Sequence, residues 1–164
     1  MNDAIVALGS NLGDSAGIIR RAFDRLQTIS DAPLLRSSLW RTAPVDCPPG
    51  SPPFVNAVAR LRPRLGETPE SLLSQLQRLE AEFGRRRSGV ANEPRLLDLD
   101  LIAFGALALN APGLILPHPR AHQRRFVMEP LAEIAPEFIL PGVNKSAAAL
   151  LLELSNTEAP QRLA

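Results

Sequence analysis

Two aspartates two residues apart stand in the run Arg95-Leu96-Leu97-Asp98-Leu99-Asp100-Leu101-Ile102. Side chains alternate along an extended strand, so Asp98 and Asp100 share one face while Leu97, Leu99 and Leu101 share the other. Carboxylates roughly 7 Å apart at their α-carbons repel and lose hydration together on a mid-sheet strand, so something positive must offset them. A hard divalent cation held jointly with phosphate oxygens does this, and Mg²⁺ typically takes one or two carboxylates plus substrate phosphates. An isolated D-x-D reads as well as the polar face of a solvated edge strand; the neighbourhood decides between the two. Residues 85–125 hold seven arginines (Arg85, Arg86, Arg87, Arg95, Arg120, Arg124, Arg125) against Glu93, Asp98 and Asp100, a local charge of +4 in a chain of net charge +1. Arginine forks beside a metal-binding acid pair are what a polyphosphate site requires.

Other residues join this pair with weaker signals. Glu80 falls at the edge of the apolar stripe of its helix, between Leu73 and Leu76 on the wheel, so its half-buried carboxylate needs an arginine or a backbone amide as donor. Phe54 and Asn56 share a strand face; aromatic plus amide is how a flat polar heterocycle is stacked and read along its edge, although core packing is the commoner fate of a strand Phe. Gly9-Ser10-Asn11-Leu12-Gly13-Asp14 joins a strand to a helix but lacks G-K-[ST], which excludes a Walker loop and leaves a tight turn with an N-cap. His118 and His122 are four apart, yet the Pro117-His118-Pro119 context opposes a helical zinc pair. Cys47 sits in a Pro-rich loop without a histidine partner and reads as inert.

These residues need a frame. Asp3–Gly9 reads as a buried strand and 15–29 as an amphipathic helix. Strands are expected over 34–41, 54–61 and 96–104. Thr68-Pro69-Glu70 opens a helix that ends at Gly84. The order β-α-β-β-α-β predicts an α+β, ferredoxin-like split βαβ core, a two-layer sandwich with both helices on one face. Additional short strands and helices should follow, with helices near 128–135 and 146–155 and a frayed tail over 156–164. Residues 1–164 read as a single domain.

Composition narrows the class. Of the 164 residues 45% are hydrophobic and 21% charged, which excludes a disordered chain. The near-neutral balance argues against a general nucleic-acid coat or a polybasic membrane anchor. One cysteine excludes an internal disulfide framework, no apolar run is long enough to span a bilayer, and the start lacks a basic n-region. A cytoplasmic protein is expected. Lys145 is the only lysine, so neither a lysine nucleophile nor a P-loop lysine has a candidate.

Five ordered blocks, ALGSNLGD, RTAPVDCPPGSPPFVNAV, QRLEAEFGRRR, PRLLDLDLIAFG and LPHPRAHQRRFVMEPLAEIAPE, resemble the 6-hydroxymethyl-7,8-dihydropterin pyrophosphokinases of folate biosynthesis across roughly residues 4–142. The resemblance implies transfer of the β,γ-pyrophosphoryl unit of MgATP to the pterin hydroxymethyl oxygen, with release of AMP. It implies that Asp98 and Asp100 hold two Mg²⁺ ions, with Asp98 also at the pterin, and that Arg85 and Arg95 act in catalysis. Gln77, Glu80, Arg85, Arg87, Arg95, Leu101, His118 and Arg124 would meet ATP, and Thr42, Pro44, Val45 and Asn56 the pterin edge. Phe54 and Phe126 would sandwich the pterin ring. Asn92 and Glu93 depart from the family pattern, which bears on the arginine-rich loop 84–94 as a candidate lid. A monomer is expected, with ATP and the pterin as partners and neither nucleic acid nor membrane. Two rivals stay open: a D-x-D metal-dependent phosphatase or nucleotidyltransferase, and a ferredoxin-like RNA-binding module.

Overall fold

The computed structural model of the chain describes residues 3–44, 47–84 and 96–163. Strand β1 (Ala4–Ser10) is buried along its whole length, as a continuous apolar run between two layers should be. Helix α1 (Ser15–Gln27) starts where the Asp14 carboxylate accepts from Gly17 N–H at 3.2 Å, and it buries Ile18, Ile19, Ala22, Phe23 and Leu26. That bond explains the Gly9–Asp14 segment as a turn with an N-cap.

The strand expected over 34–41 is two short ones, β2 (Leu35–Arg36) and β3 (Trp40–Thr42). The break has a local cause. Ser37 N–H still donates to Val58 O at 3.0 Å, but Val58 N–H returns to Ser37 Oγ at 2.8 Å rather than to a backbone carbonyl, and Ser38 N–H turns away to Glu133 Oε1 at 2.9 Å. Strand β4 (Phe54–Leu61) follows as expected. Helix α2 (Pro69–Glu82) opens on a capping box in which Thr68 and Ser71 bond reciprocally, with Pro69 in the first turn. It stops at Gly84, whose φ of 81° suits glycine at the helix end.

Strand β5 (Asp98–Phe104) carries the aspartate pair. A hairpin of β6 (Leu109–Ala111) and β7 (Leu114–Leu116) comes next, then a 3-10 turn at Ala121–Gln123 and helix α3 (Arg125–Ile134). The chain closes with the pair β8 (Ile139–Leu140) and β9 (Lys145–Ser146), helix α4 (Ala147–Glu153) and strand β10 (Gln161–Arg162). The expected fray of the tail is corrected here: Gln161 and Arg162 pair with Arg41 and Trp40, and Leu163 N–H donates to Leu39 O at 2.8 Å. The open edge of β3 supplies the backbone groups that capture it.

The main sheet is antiparallel in every pairing and runs β10-β3-β4-β1-β5, with β2 also on β4. One face packs Val6, Leu8, Ala57, Ala59, Leu99 and Leu101 against α1 and α2. The other packs Ile5, Ala7, Val58 and Ile102 against α3 and α4. The two-layer sandwich expected from the sequence therefore gains a third layer, because Ile5, Ala7, Val58 and Ile102 on the reverse face are apolar too and need cover.

Candidate active site

Strand register builds the site. Gly9 of β1 pairs with Asn56 on one side and Asp98 on the other, and Asn56 pairs in turn with Trp40. Trp40, Asn56, Gly9 and Asp98 thus form one row across four strands, on the face that α3 covers. Thr42 and Phe54 pair one step beyond Asn56, and Asp100 pairs with Ala7 one step inside Asp98. A β-bulge between Ile5 and Val6 shifts the register beyond Leu101 and leaves the aspartates in step with β1.

Asp98 and Asp100 are half-buried on this face, while Leu99 and Leu101 go into the α1/α2 core, so the alternation predicted for the run holds. Its strand is the last of the main sheet rather than a mid-sheet strand, and the outer edge is used. Glu80, 6% exposed, reaches from α2 to accept Leu99 N–H at 2.8 Å, a backbone bond placed between the two aspartates. The backbone amide that a half-buried Glu80 required is therefore on the acid strand itself. Farther along, His118 N–H donates to Ile102 O at 2.8 Å, just after the cis Leu116–Pro117 peptide.

That bond brings His118 beside the acids. Its imidazole is held below the usual histidine range, first by burial and then by the charges of Arg124 and Arg120, with Asp98 pulling the other way. Nδ1 accepts from Arg120 N–H at 3.2 Å, which assigns the proton of the neutral ring to Nε2. His118 also lines a cavity of about 430 Å³ with Leu109, Ile115 and Val143. Arg124, at the start of α3, lays its guanidinium over the Phe126 ring at 5.5 Å from the centroid.

The wall opposite the acids is an amide and a ring. Asn56 is 6% exposed and donates from Nδ2 to Thr42 Oγ1 at 2.7 Å. Phe54 and Phe126 are half-buried on the α3 side. Behind them Glu133 of α3 ties the layer to β3, accepting from Ser38 Oγ at 2.5 Å and from Trp40 Nε1 at 3.2 Å. Burial opposes ionisation of Glu133, but the bonds from Ser38 and Trp40 with the charge of Arg162 hold its carboxyl below the usual range.

The structure thus gathers Asp98, Asp100, Glu80, His118, Arg124, Thr42, Asn56, Phe54 and Phe126 around one end of one sheet face. Gln77 is exposed one turn before Glu80, Leu101 turns its side chain into the core, and Pro44 is half-buried just past Thr42. Val45, Arg85, Arg87 and Arg95, with Asn92, Glu93 and the candidate lid, lie outside the described residues. The sequence reading took Gly9 only as the start of a turn and did not single out Glu133. Nothing in the local pattern marks Glu133, whereas a glycine inside an apolar strand is itself a sign of close approach.

Among the described residues no cluster of three His, Cys, Asp or Glu side chains forms a cation cage. Two carboxylates on one strand face are a donor set that fits Mg²⁺ shared with phosphate, and not a structural metal. Fold and site together define an α+β protein that sets paired carboxylates, a histidine and an arginine at one end of a sheet face, with an amide and two phenylalanine rings alongside.

Comparison with known proteins names the group. Residues 5–136 match the family model for 7,8-dihydro-6-hydroxymethylpterin-pyrophosphokinase (HPPK). The 2-amino-4-hydroxy-6-hydroxymethyldihydropteridine pyrophosphokinase of Pseudomonas aeruginosa is 41% identical over 83% of this chain and 82% of its own length. That of Haemophilus influenzae is 38% identical over 86% of each. The folic acid synthesis protein fol1 of Pneumocystis carinii is 35% identical over 90% of this chain, which spans only 20% of that longer protein. The fold of Plasmodium falciparum HPPK-DHPS superposes with a TM-score of 0.78 at 12% identity, over 98% of this chain and 47% of that one. The chain belongs to the HPPK family.

Proposed function

We propose that this chain transfers the pyrophosphoryl group of ATP to the hydroxymethyl oxygen of 6-hydroxymethyl-7,8-dihydropterin, the pyrophosphokinase step of folate biosynthesis. The observation that carries the reading is the register row: Asn56 and Asp98 flank Gly9 on one sheet face, about 10 Å apart by two strand spacings. A ring read at the Asn56 end puts its substituent at the Asp98 end. In this reading the hydroxymethyl oxygen attacks the β-phosphorus and gives up its proton to solvent water, the bond from that phosphorus to the oxygen of AMP breaks, and AMP leaves with the electron pair.

The family uses ATP with magnesium, and Asp98 and Asp100 would hold the metal, as two ions. Bound there, Mg²⁺ supplies charge neutralisation for the triphosphate and acidifies the attacking hydroxyl. The chain's own groups do the positioning. Glu80 holds Leu99, and with it the backbone between the two carboxylates, against α2. Arg124 and the Nε2–H of His118 face the phosphates as donors, joined by Arg85, Arg87 and Arg95, with Arg85 and Arg95 stabilising charge on the transferred group. Gln77 and the backbone at Leu101 lie towards the nucleotide. Thr42 orients Asn56, Pro44 and Val45 continue the pterin edge, and Phe54 and Phe126 stack on the ring.

The strand order, with β4 and β1 inside and β3 and β5 outside, supports a ferredoxin-like split βαβ core. We read residues 1–164 as one domain acting as a cytoplasmic monomer, without nucleic acid or membrane. Among the described residues no helix is long and apolar enough to cross a membrane. The test is ³¹P NMR of the protein with MgATP and 6-hydroxymethyl-7,8-dihydropterin. AMP and a pterin diphosphate in equal amounts are expected, dependent on both metal and pterin. ADP, free phosphate or pyrophosphate would instead assign a phosphatase or nucleotidyltransferase, and unchanged ATP would remove the activity.

A further inference from the structure

Gly9 is the residue of the register row that offers no side chain. Its φ is not among the positive values of the chain, so the backbone there is one any residue adopts. Glycine within a strand forfeits packing and backbone entropy, and its presence in the buried central strand points to a close approach. The approach is on the page. A Cβ built at Gly9 would lie 3.3 Å from Asn56 Oδ1 and 3.8 Å from Phe54 Cδ1. The amide oxygen therefore lies closer to β1 than a side chain there would allow, while the ring stands at ordinary contact distance. Thr42 holds the other end of the amide by accepting from Nδ2 at 2.7 Å.

We propose that Gly9 is a positioning residue for the pterin, setting where Asn56 Oδ1 lies relative to the carboxylates of β5. The inference rests on the pterin reading of this face. A methyl group at Gly9 pushes the Asn56 oxygen by a few tenths of an ångström while Thr42 restrains it. The acceptor for the N–H groups along the pterin edge then moves away from Asp98, which pairs with Gly9 from the opposite side. Carboxylates, His118 and Arg124 are not in that path, so the nucleotide side keeps its geometry. Misplacement well under 1 Å is enough to reduce productive binding.

The experiment compares wild type, Gly9→Ala and Gly9→Val by steady-state kinetics, pterin binding by fluorescence, and thermal unfolding. The expected result is a KM for the pterin raised at least about tenfold in Gly9→Ala and further in Gly9→Val, a loss of about 1.4 kcal/mol or more. The KM for ATP should stay within about twofold, and Gly9→Ala should stay folded with a Tm lowered by no more than about 4 °C, a larger fall being expected for Gly9→Val, whose extra methyl groups overpack the buried strand. An unchanged pterin KM in Gly9→Ala overturns the proposal. So does an equal rise in both KM values, or a Gly9→Ala protein that circular dichroism shows unfolded, because each makes Gly9 a packing residue only. A wild-type protein that neither binds the pterin nor releases AMP defeats the functional reading instead, and that outcome is visible before any variant is made.

Discussion

The two faces of the main sheet are built from the same strands and have different fates. Towards α1 and α2, β1 presents Ala4, Val6 and Leu8, β4 presents Ala57, Ala59 and Leu61, and β5 presents Leu99 and Leu101, all buried. Towards α3 and α4, the alternate positions at one end are Ile5, Ala7, Val58 and Ile102, with Arg60 beside Ile5. At the other end they are Gly9, Asn56, Phe54, Asp98 and Asp100. One face therefore holds the fold, and the open end of its reverse carries the residues of the proposed site. Burial of apolar surface needs no particular geometry, whereas paired carboxylates and an oriented amide need a rigid base beneath them.

That contrast can be broken from either side. The largest effect is expected from Asp100→Asn, which should lower kcat by about 10³-fold, leave pterin affinity within a few-fold and leave Tm unchanged. Appreciable turnover in this variant would remove the carboxylate from its proposed role. On the opposite face, Leu76→Ala should destabilise by about 2–5 kcal/mol in denaturant titration through the cavity it leaves, with pterin KM unchanged in the folded fraction.

Glu80 bridges the two faces, since it comes from α2 and bonds to the acid strand. Glu80→Gln keeps the shape but loses the charge of the acceptor, so a stability loss of about 1–2 kcal/mol should accompany a fall in kcat. A Glu80→Gln protein with full kcat would show that β5 needs no anchor between its aspartates. The smallest effect belongs to Glu133, whose carboxyl is depressed below its ordinary value. A depressed folded value means that the contribution is present above the ordinary carboxylate range and lost as pH falls through the folded value. Wild type should therefore be more stable than Glu133→Gln near neutrality, with the gap closing in acid. Trp40 fluorescence during unfolding reads this directly, because its Nε1 donates to Glu133.

Much of the frame was legible because it is local. Thr68 and Pro69 start a helix by chemistry confined to a few residues, and Gly84 ends it in the same way. The alternation in Asp98–Leu101 assigned both aspartates to one face before any sheet was known. Other features needed partners distant in sequence. Ser37 and Ser38 split a strand because Val58 and Glu133 are there to take their bonds. The tail pairs because β3 has an open edge, and among the described residues β5 pairs in the main sheet with β1 alone.

By itself the sequence determined the kinds of groups available, the faces they share within each strand, and, through five ordered blocks, the family to which the chain belongs. Only the tertiary structure decided which strand lies beside which, and with that the row in which Asn56 and Asp98 meet across Gly9. The reason is physical. Side-chain alternation and helix capping follow from covalent geometry within a few residues. Register and strand order follow from packing between segments 47 and 89 residues apart in the row, where each residue's partner is chosen by the whole core.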